Sequence, residues 1–136
     1  MTSRARLLDL YSKTAALRAA GLAREMRAAG ADHDAARALE ARLQRLMSDM
    51  AIPLGAITVS SLRNTGLMLA QFADEAARQR LRASNAADEV LKLQQQIATH
   101  EQRRKTSEDA AKAARLANAE EREKRVEAAH PATRRT

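Results

Sequence analysis

Apolar residues recur at every seventh position through the first third of the chain, as on one face of a helix that packs against a partner. Counted from Leu8, the series is Leu8, Ala15, Leu22, Ala29, Ala36, Leu43 and Met50. The companion positions are less regular: they are Ala19 and Met26 at first, and Leu39 and Leu46 later. The pattern predicts a helix over about residues 3–50 whose apolar stripe shifts across residues 30–32, at a glycine kink or a local change of winding.

A second register begins near residue 59. Apolar residues again occupy every seventh position, at Leu62, Leu69, Ala76, Ala83, Val90 and Ile97. Three residues after each stand Thr65, Phe72, Gln79, Ala86, Leu93 and His100. The pattern predicts a second helix over about residues 59–129 with a narrow stripe suited to one partner helix. Thr58 or Ser60 can N-cap this helix, because a hydroxyl there accepts a hydrogen bond from an unpaired backbone amide.

One proline, Pro53, separates the two patterns. It lacks the amide that a continuing helix needs, and Gly55 can adopt positive φ without steric cost. We therefore predict one all-α domain, residues 1–136: a long antiparallel two-helix coiled-coil hairpin with a hinge at residues 51–58 and a disordered tail at residues 130–136. If the helices pair outward from the hinge, the first ends opposite about residue 105, and the second helix overhangs from Lys105 onward.

Alanine and charge dominate the composition. The chain has 32 alanines and no tryptophan, with Tyr11 and Phe72 as its only aromatic residues, which indicates thin, closely paired helices. The net charge is +7, but both signs are interspersed, which favours a solvated coiled-coil surface over a phosphate-binding stripe. Two alternatives remain: a basic coiled coil that binds nucleic acid, and a general coiled-coil scaffold or membrane-surface helix pair. With no cysteine and no membrane-spanning apolar stretch, we expect a soluble cytoplasmic protein.

No pattern of residues indicates an enzyme, so no catalytic, cofactor-binding or metal-ligating residues are predicted. The three histidines, His33, His100 and His130, are too far apart in the sequence to form a local metal-ligand pair. The chain also lacks a glycine-rich phosphate loop. We therefore expect a protein that acts through its surface and shape.

Two surface features are candidates for protein binding. The first is an apolar cluster on both sides of the hinge: Leu43, Leu46, Met47, Met50, Leu67, Met68 and Phe72. This cluster is either an exposed docking patch or part of the hairpin core that also mediates self-association. The second is the set of most densely spaced basic residues: Arg78, Arg80, Arg82, Arg103, Arg104 and Lys105. These side chains are either solvated or contact an acidic protein partner. No aromatic residues are interleaved with these basic positions, as a single-strand nucleic-acid surface would require.

The layout of the chain resembles the FliJ/YscO family, the soluble stalk proteins of flagellar and injectisome type III export. The resemblance covers most of the chain. It rests on the leucine spacing of the first helix and on three stretches: Leu-Leu-Asp-Leu-Tyr at residues 7–11, Gln-Phe-Ala-Asp-Glu-Ala-Ala-Arg-Gln-Arg at residues 71–80, and Glu-Gln-Arg-Arg-Lys at residues 101–105. It implies a non-enzymatic antiparallel coiled coil, cytoplasmic or peripheral at the inner membrane, that looks like the central stalk of a rotary ATPase.

The resemblance also implies partners and the residues that meet them. An export ATPase ring would bind the overhanging end together with the N-terminal turn. The residues of the overhanging end that would meet the ring are Arg103, Arg104, Lys105, Lys112, Arg115 and Arg122. An export-gate membrane protein would bind a patch patterned Leu-x2-Tyr-x3-Tyr on the first helix and Phe-x3-Leu-x2-Ala on the second. The corresponding residues here are Leu43, Leu46, Met50, Phe72, Ala76 and Gln79, so both tyrosines are missing and a glutamine replaces a small apolar residue. Export chaperones are a third class of partner.

Overall fold

The protein consists of two long helices that contact each other. A computed structural model describes residues 2–50 and 58–129. Helix α1 spans Thr2–Asp49 and helix α2 spans Val59–Ala129, and no strand occurs in the described ranges. The all-helical, two-helix prediction is confirmed. The predicted hinge residues Pro53 and Gly55 and the predicted tail at residues 130–136 lie outside the described residues.

The start of α2 is fixed by a side-chain cap. The Thr58 hydroxyl oxygen accepts a hydrogen bond from the Ser61 backbone amide at 3.1 Å, and the Leu62 amide donates to the Thr58 carbonyl at 3.0 Å. The first contact satisfies the Ser61 amide, which the first turn of a helix otherwise leaves unpaired, and the second is the first main-chain hydrogen bond of the helix. Of the two residues predicted to cap the helix, Thr58 is the one that does so.

The described residues form two compact units. The terminal unit contains the residues up to Ala23 and those from Gln95 onward, and the central unit contains Arg24–Gln94. In the terminal unit, the Ser12 hydroxyl donates to Glu108 at 3.4 Å, and Asp9 forms an ion pair with Arg115. In the central unit, Arg80 donates to Glu40 at 2.9 Å. Each unit therefore contains direct contacts between α1 and α2.

The core of both units is lined mainly by alanine. Among the residues that the structure describes, eight of the ten buried apolar residues are alanines, and no large side chain is fully buried. In the central unit the α1 stripe consists of Met26, Ala29, His33, Ala36, Glu40, Leu43, Met47 and Met50. The spacing of these residues alternates between three and four without interruption, as in a heptad repeat. The alanines among the buried residues, such as Ala36, Ala76 and Ala83, allow the two backbones to approach closely.

The predicted shift of the α1 stripe is wrong. The helix continues through Gly30, and the three-four spacing is the same on both sides of it. Leu39 and Leu46 are exposed, and Glu40 and Met47 take the stripe positions instead. A glutamate is tolerated there because its aliphatic stem packs along the stripe while its carboxylate reaches Arg80. The prediction took the more apolar residues Leu39 and Leu46 as stripe positions, whereas the next residue along the chain is the packed one in each case.

The predicted overhang from Lys105 is also wrong. Ser107 and Ala111 are buried, and Asp9 pairs with Arg115, so α2 is packed against α1 well beyond residue 105. Exposure without interruption begins only at residue 119 of the described range. Glu40 contacts Arg80. If the two helices paired symmetrically outward from residue 53, Glu40 would instead lie opposite residue 66. The difference is 14 residues, or about 21 Å along a helix.

The α2 stripe agrees with the predicted register except at its beginning. The predicted positions from Thr65 to His100 are all buried or half-buried, whereas Leu62 is 61% exposed. None of residues 59–71 is buried, and the first buried residue of α2 is Ala76. Within the described ranges, neither helix has a stretch long and apolar enough to cross a membrane.

Candidate partner-binding surfaces

The six residues predicted for the gate contact lie mostly in the stripe between the helices. Leu43 and Ala76 are buried, and Met50, Phe72 and Gln79 are half-buried. Only Leu46 is exposed, at 40%. Most of this set therefore contributes to packing in the central unit, and a partner would reach it chiefly through Leu46.

Gln79, which stands where the family pattern has a small apolar residue, belongs to a local polar network. Its amide donates to one Glu75 oxygen at 2.9 Å, and Arg78 donates to the other at 3.0 Å. These hydrogen bonds, with the Gln79 amide as the larger cause, lower the pKa of the Glu75 carboxyl below its ordinary value. The glutamine thus fixes a carboxylate at the edge of the predicted patch.

A broader apolar surface is exposed in the central unit. It consists of Leu46 on α1 and Val59, Leu62, Leu67 and Met68 on α2, and is called the α2-start surface below. Val59 and Leu62 share one side of the helix, whereas Leu67 and Met68 point to other sides. Leu67 and Met68 belonged to the apolar cluster predicted from the sequence. Val59 and Leu62 were not predicted to be exposed. Leu62 was expected in the packed stripe because it fits the heptad series.

The six basic residues predicted for the ATPase contact divide into two groups. Arg104 is held by Glu101 and Glu108, each at 2.9 Å, which raises the pKa of its guanidinium above the ordinary value, and Arg115 pairs with Asp9. The other four are exposed and form no ion pair within the described residues: they are Arg103, Lys105, Lys112 and Arg122. The first group is engaged within the terminal unit, and the second is exposed to solvent.

Two further arginines lie close to this basic end. Arg6 lines a groove in the terminal unit together with Asp9, Arg115 and Arg122. Arg4 and Arg6 also stand in the first turns of α1, where positive charge opposes the helix dipole. The N-terminal turn was expected to lie in the ring, but Arg6 was not named individually, and its unfavourable placement is the signal in the sequence that could have identified it.

The basic cluster at residues 78–82 is engaged within the central unit. Arg80 pairs with Glu40, whose side chain is only 13% exposed. Arg82 donates to Asp32 through Nε at 3.0 Å, and this hydrogen bond lowers the pKa of the Asp32 carboxyl. Arg78 is bound to Glu75. The three arginines therefore neutralise carboxylates of the chain itself.

The described surface contains no cluster of three or more acidic or histidine side chains that could bind a metal ion. His33 lies beside Asp34, with Nδ1 and Oδ1 3.1 Å apart, although neighbouring residues on a helix usually point in different directions. Comparison of the chain with protein-family models, with curated proteins and with solved structures finds no match in any of the three.

Proposed function

We propose that the two helices form an antiparallel coiled-coil hairpin. In the terminal unit, Asp9 pairs with Arg115 and Ser12 with Glu108, so the α2 number falls as the α1 number rises. In the central unit the order has the same sense, with Asp32 bound to Arg82 and Glu40 to Arg80. The three-four spacing of the buried residues supports packing of the coiled-coil type.

We propose further that this hairpin is a non-enzymatic stalk of a type III export apparatus, similar in role to the FliJ/YscO family. The observation that carries the proposal is that four of the six predicted cations on α2 are exposed and form no ion pair within the described residues: Arg103, Lys105, Lys112 and Arg122. The alanine-lined stripe supports it too, because closely packed helices make a stalk narrow enough to enter a ring. An export ATPase with acidic groups around its central opening is the partner that this surface fits.

The second contact of the stalk would use the α2-start surface. Its leucines, valine and methionine are exposed on more than one side of α2, and only Arg63 carries charge between Val59 and Gln71. An apolar surface of low charge suits a stable protein contact, such as that with the export-gate protein or an export chaperone. This surface takes the place of the predicted gate patch, most of which lies in the packed stripe.

Titration of a purified type III export ATPase with the full chain tests the proposed function. We expect ATP turnover at low ATPase concentration to rise severalfold and then saturate, because a bound stalk favours the assembled ring. The effect should weaken at high salt, since the proposed contact depends on exposed charges. Unchanged turnover across the titration at low salt would refute the ATPase contact.

A further inference from the structure

The outer face of α1 in the terminal unit carries large apolar side chains that the helix pair does not use. Leu7, Leu10, Tyr11 and Leu17 are each more than half exposed. They lie three, four and ten residues after Leu7, which places all of them on one side of the helix. The packed stripe of the same segment runs along another side, through the buried residues Ser12 and Ala15. The segment is therefore apolar on two faces, and one has no partner among the described residues.

The polar residue within this outer face is already satisfied. Thr14 lies between Leu10 and Leu17, and its hydroxyl donates to the Leu10 carbonyl at 2.9 Å. Burial of a hydroxyl costs free energy when its hydrogen bond to water is not replaced. Because the Thr14 bond is internal to the helix, the face can enter an apolar environment without leaving this donor unpaired.

Basic residues border the outer face on both sides. Arg4 and Arg18 are seven residues before and after Tyr11, on one edge, and Arg6 and Lys13 occupy the other edge. All four are exposed. The only acidic residue between Thr2 and Arg18 is Asp9, and it is bound to Arg115 of α2. The rim of the face thus carries charge of one sign only.

We propose that this outer face docks onto a membrane surface that contains anionic phospholipid. Leucine side chains would enter the boundary between headgroups and acyl chains, and Tyr11 would lie at the level of the headgroups. Arginine and lysine have long apolar stems, so the four rim residues can reach lipid phosphates while their stems stay in the boundary. The proposal does not rest on the stalk function.

The chemistry of the face favours a lipid surface over a partner helix. Where this chain pairs helix with helix, the buried residues are mainly alanines, and charges of both signs flank them, as in Glu40 with Arg80 and Asp32 with Arg82. The outer face has the opposite character, with large side chains and a rim of cations. A bilayer with anionic headgroups provides a wide apolar layer beneath a single sign of charge.

Co-sedimentation of the full chain with lipid vesicles tests the proposal. The chain should bind phosphatidylcholine vesicles that contain roughly one-third phosphatidylglycerol, and should bind pure phosphatidylcholine at least about tenfold more weakly. Raising the salt from about 50 mM to about 500 mM should release most of it. Tyr11 is the only tyrosine and the chain has no tryptophan, so brominated phosphatidylglycerol should quench its fluorescence if the face inserts.

A matched pair of double variants locates the contact. Leu10→Glu with Leu17→Glu should weaken vesicle binding at least about tenfold, because two charges would enter the apolar layer. Leu81→Glu with Leu91→Glu removes equally exposed leucines of the central unit and should bind within about twofold of the wild type. Equal binding to neutral vesicles, equal loss in both variants, unquenched Tyr11 or no vesicle binding would each overturn the proposal. These readouts do not involve the ATPase, so they separate this proposal from the stalk function.

Discussion

Replacement of Ala36 by glutamate is expected to lower the free energy of unfolding by about 2–4 kcal/mol, a large fraction of the total for a thin helix pair. Ala36 is completely buried in the central unit, and most of its buried neighbours along the stripes are alanines. A glutamate there must either bury an unpaired carboxylate or force the two helices apart. No large side chain is fully buried in the described residues, so little other apolar packing offsets the loss.

The neighbouring residue provides the control for this prediction. Ala35→Glu makes the same chemical change one position away, where the side chain is exposed, and should alter stability by less than about 0.5 kcal/mol. Thermal and urea unfolding followed by circular dichroism measures both variants. We expect the midpoint of thermal unfolding to fall by about 5–15 °C for Ala36→Glu and to stay near the wild-type value for Ala35→Glu. Similar midpoints in the two variants would contradict the assigned register of α1.

Reversal of the four exposed α2 cations predicted for the ATPase contact is expected to abolish most of the stimulation of the export ATPase. The variant carries Arg103→Glu, Lys105→Glu, Lys112→Glu and Arg122→Glu. These side chains form no ion pair within the described residues, so their reversal removes the proposed contact without breaking a salt bridge. We expect at least about a tenfold higher concentration to be needed for half-maximal stimulation, with the helical content unchanged.

A second variant controls for the change in net charge. Four exposed basic residues of the central unit that form no ion pair are reversed to glutamate instead: Arg27, Arg37, Arg42 and Arg45. The net charge changes by the same amount, but the proposed ATPase contact stays intact. ATPase turnover in the presence of this control should follow the wild-type curve. If both variants lose stimulation equally, the contact is a nonspecific charge effect and the assignment to the terminal unit is wrong.

The hydrophobic pattern predicted the type of each helix and most of its packed face, because burial follows a simple periodicity. Leu43, Ala83 and Leu93 stand where the heptad series places them, and all three are buried. The pattern failed at Glu40, where a charged residue occupies a packed position. Its ion pair with Arg80, 40 residues away in the sequence, is what makes that position acceptable, and no local pattern reveals it.

The heptad periodicity could not predict which residue of α2 lies opposite a given residue of α1. A seam that repeats every seven residues looks the same after a shift of seven or fourteen, since alanine again meets alanine. In the central unit Glu40 meets Arg80 and Asp32 meets Arg82, which are 14 and 8 residues further along α2 than pairing outward from residue 53 would place them. Specific pairs select one alignment, and Arg80 with Glu40 does so in the central unit. The same ambiguity led to the wrong overhang, in which Arg115 was expected to have no partner on α1 although it pairs with Asp9.

The stoichiometry of the complex with an export ATPase tests the central claim most directly. A stalk that occupies the middle of a ring binds once per ring, whereas a protein that binds each subunit separately does so once per subunit. We therefore expect mass photometry of the mixture to give assembled ATPase rings that each carry one copy of this chain. At the same ATPase concentration without the chain, assembled rings should not form. One copy per ATPase subunit, or no ring-bound chain, would contradict the proposed stalk function.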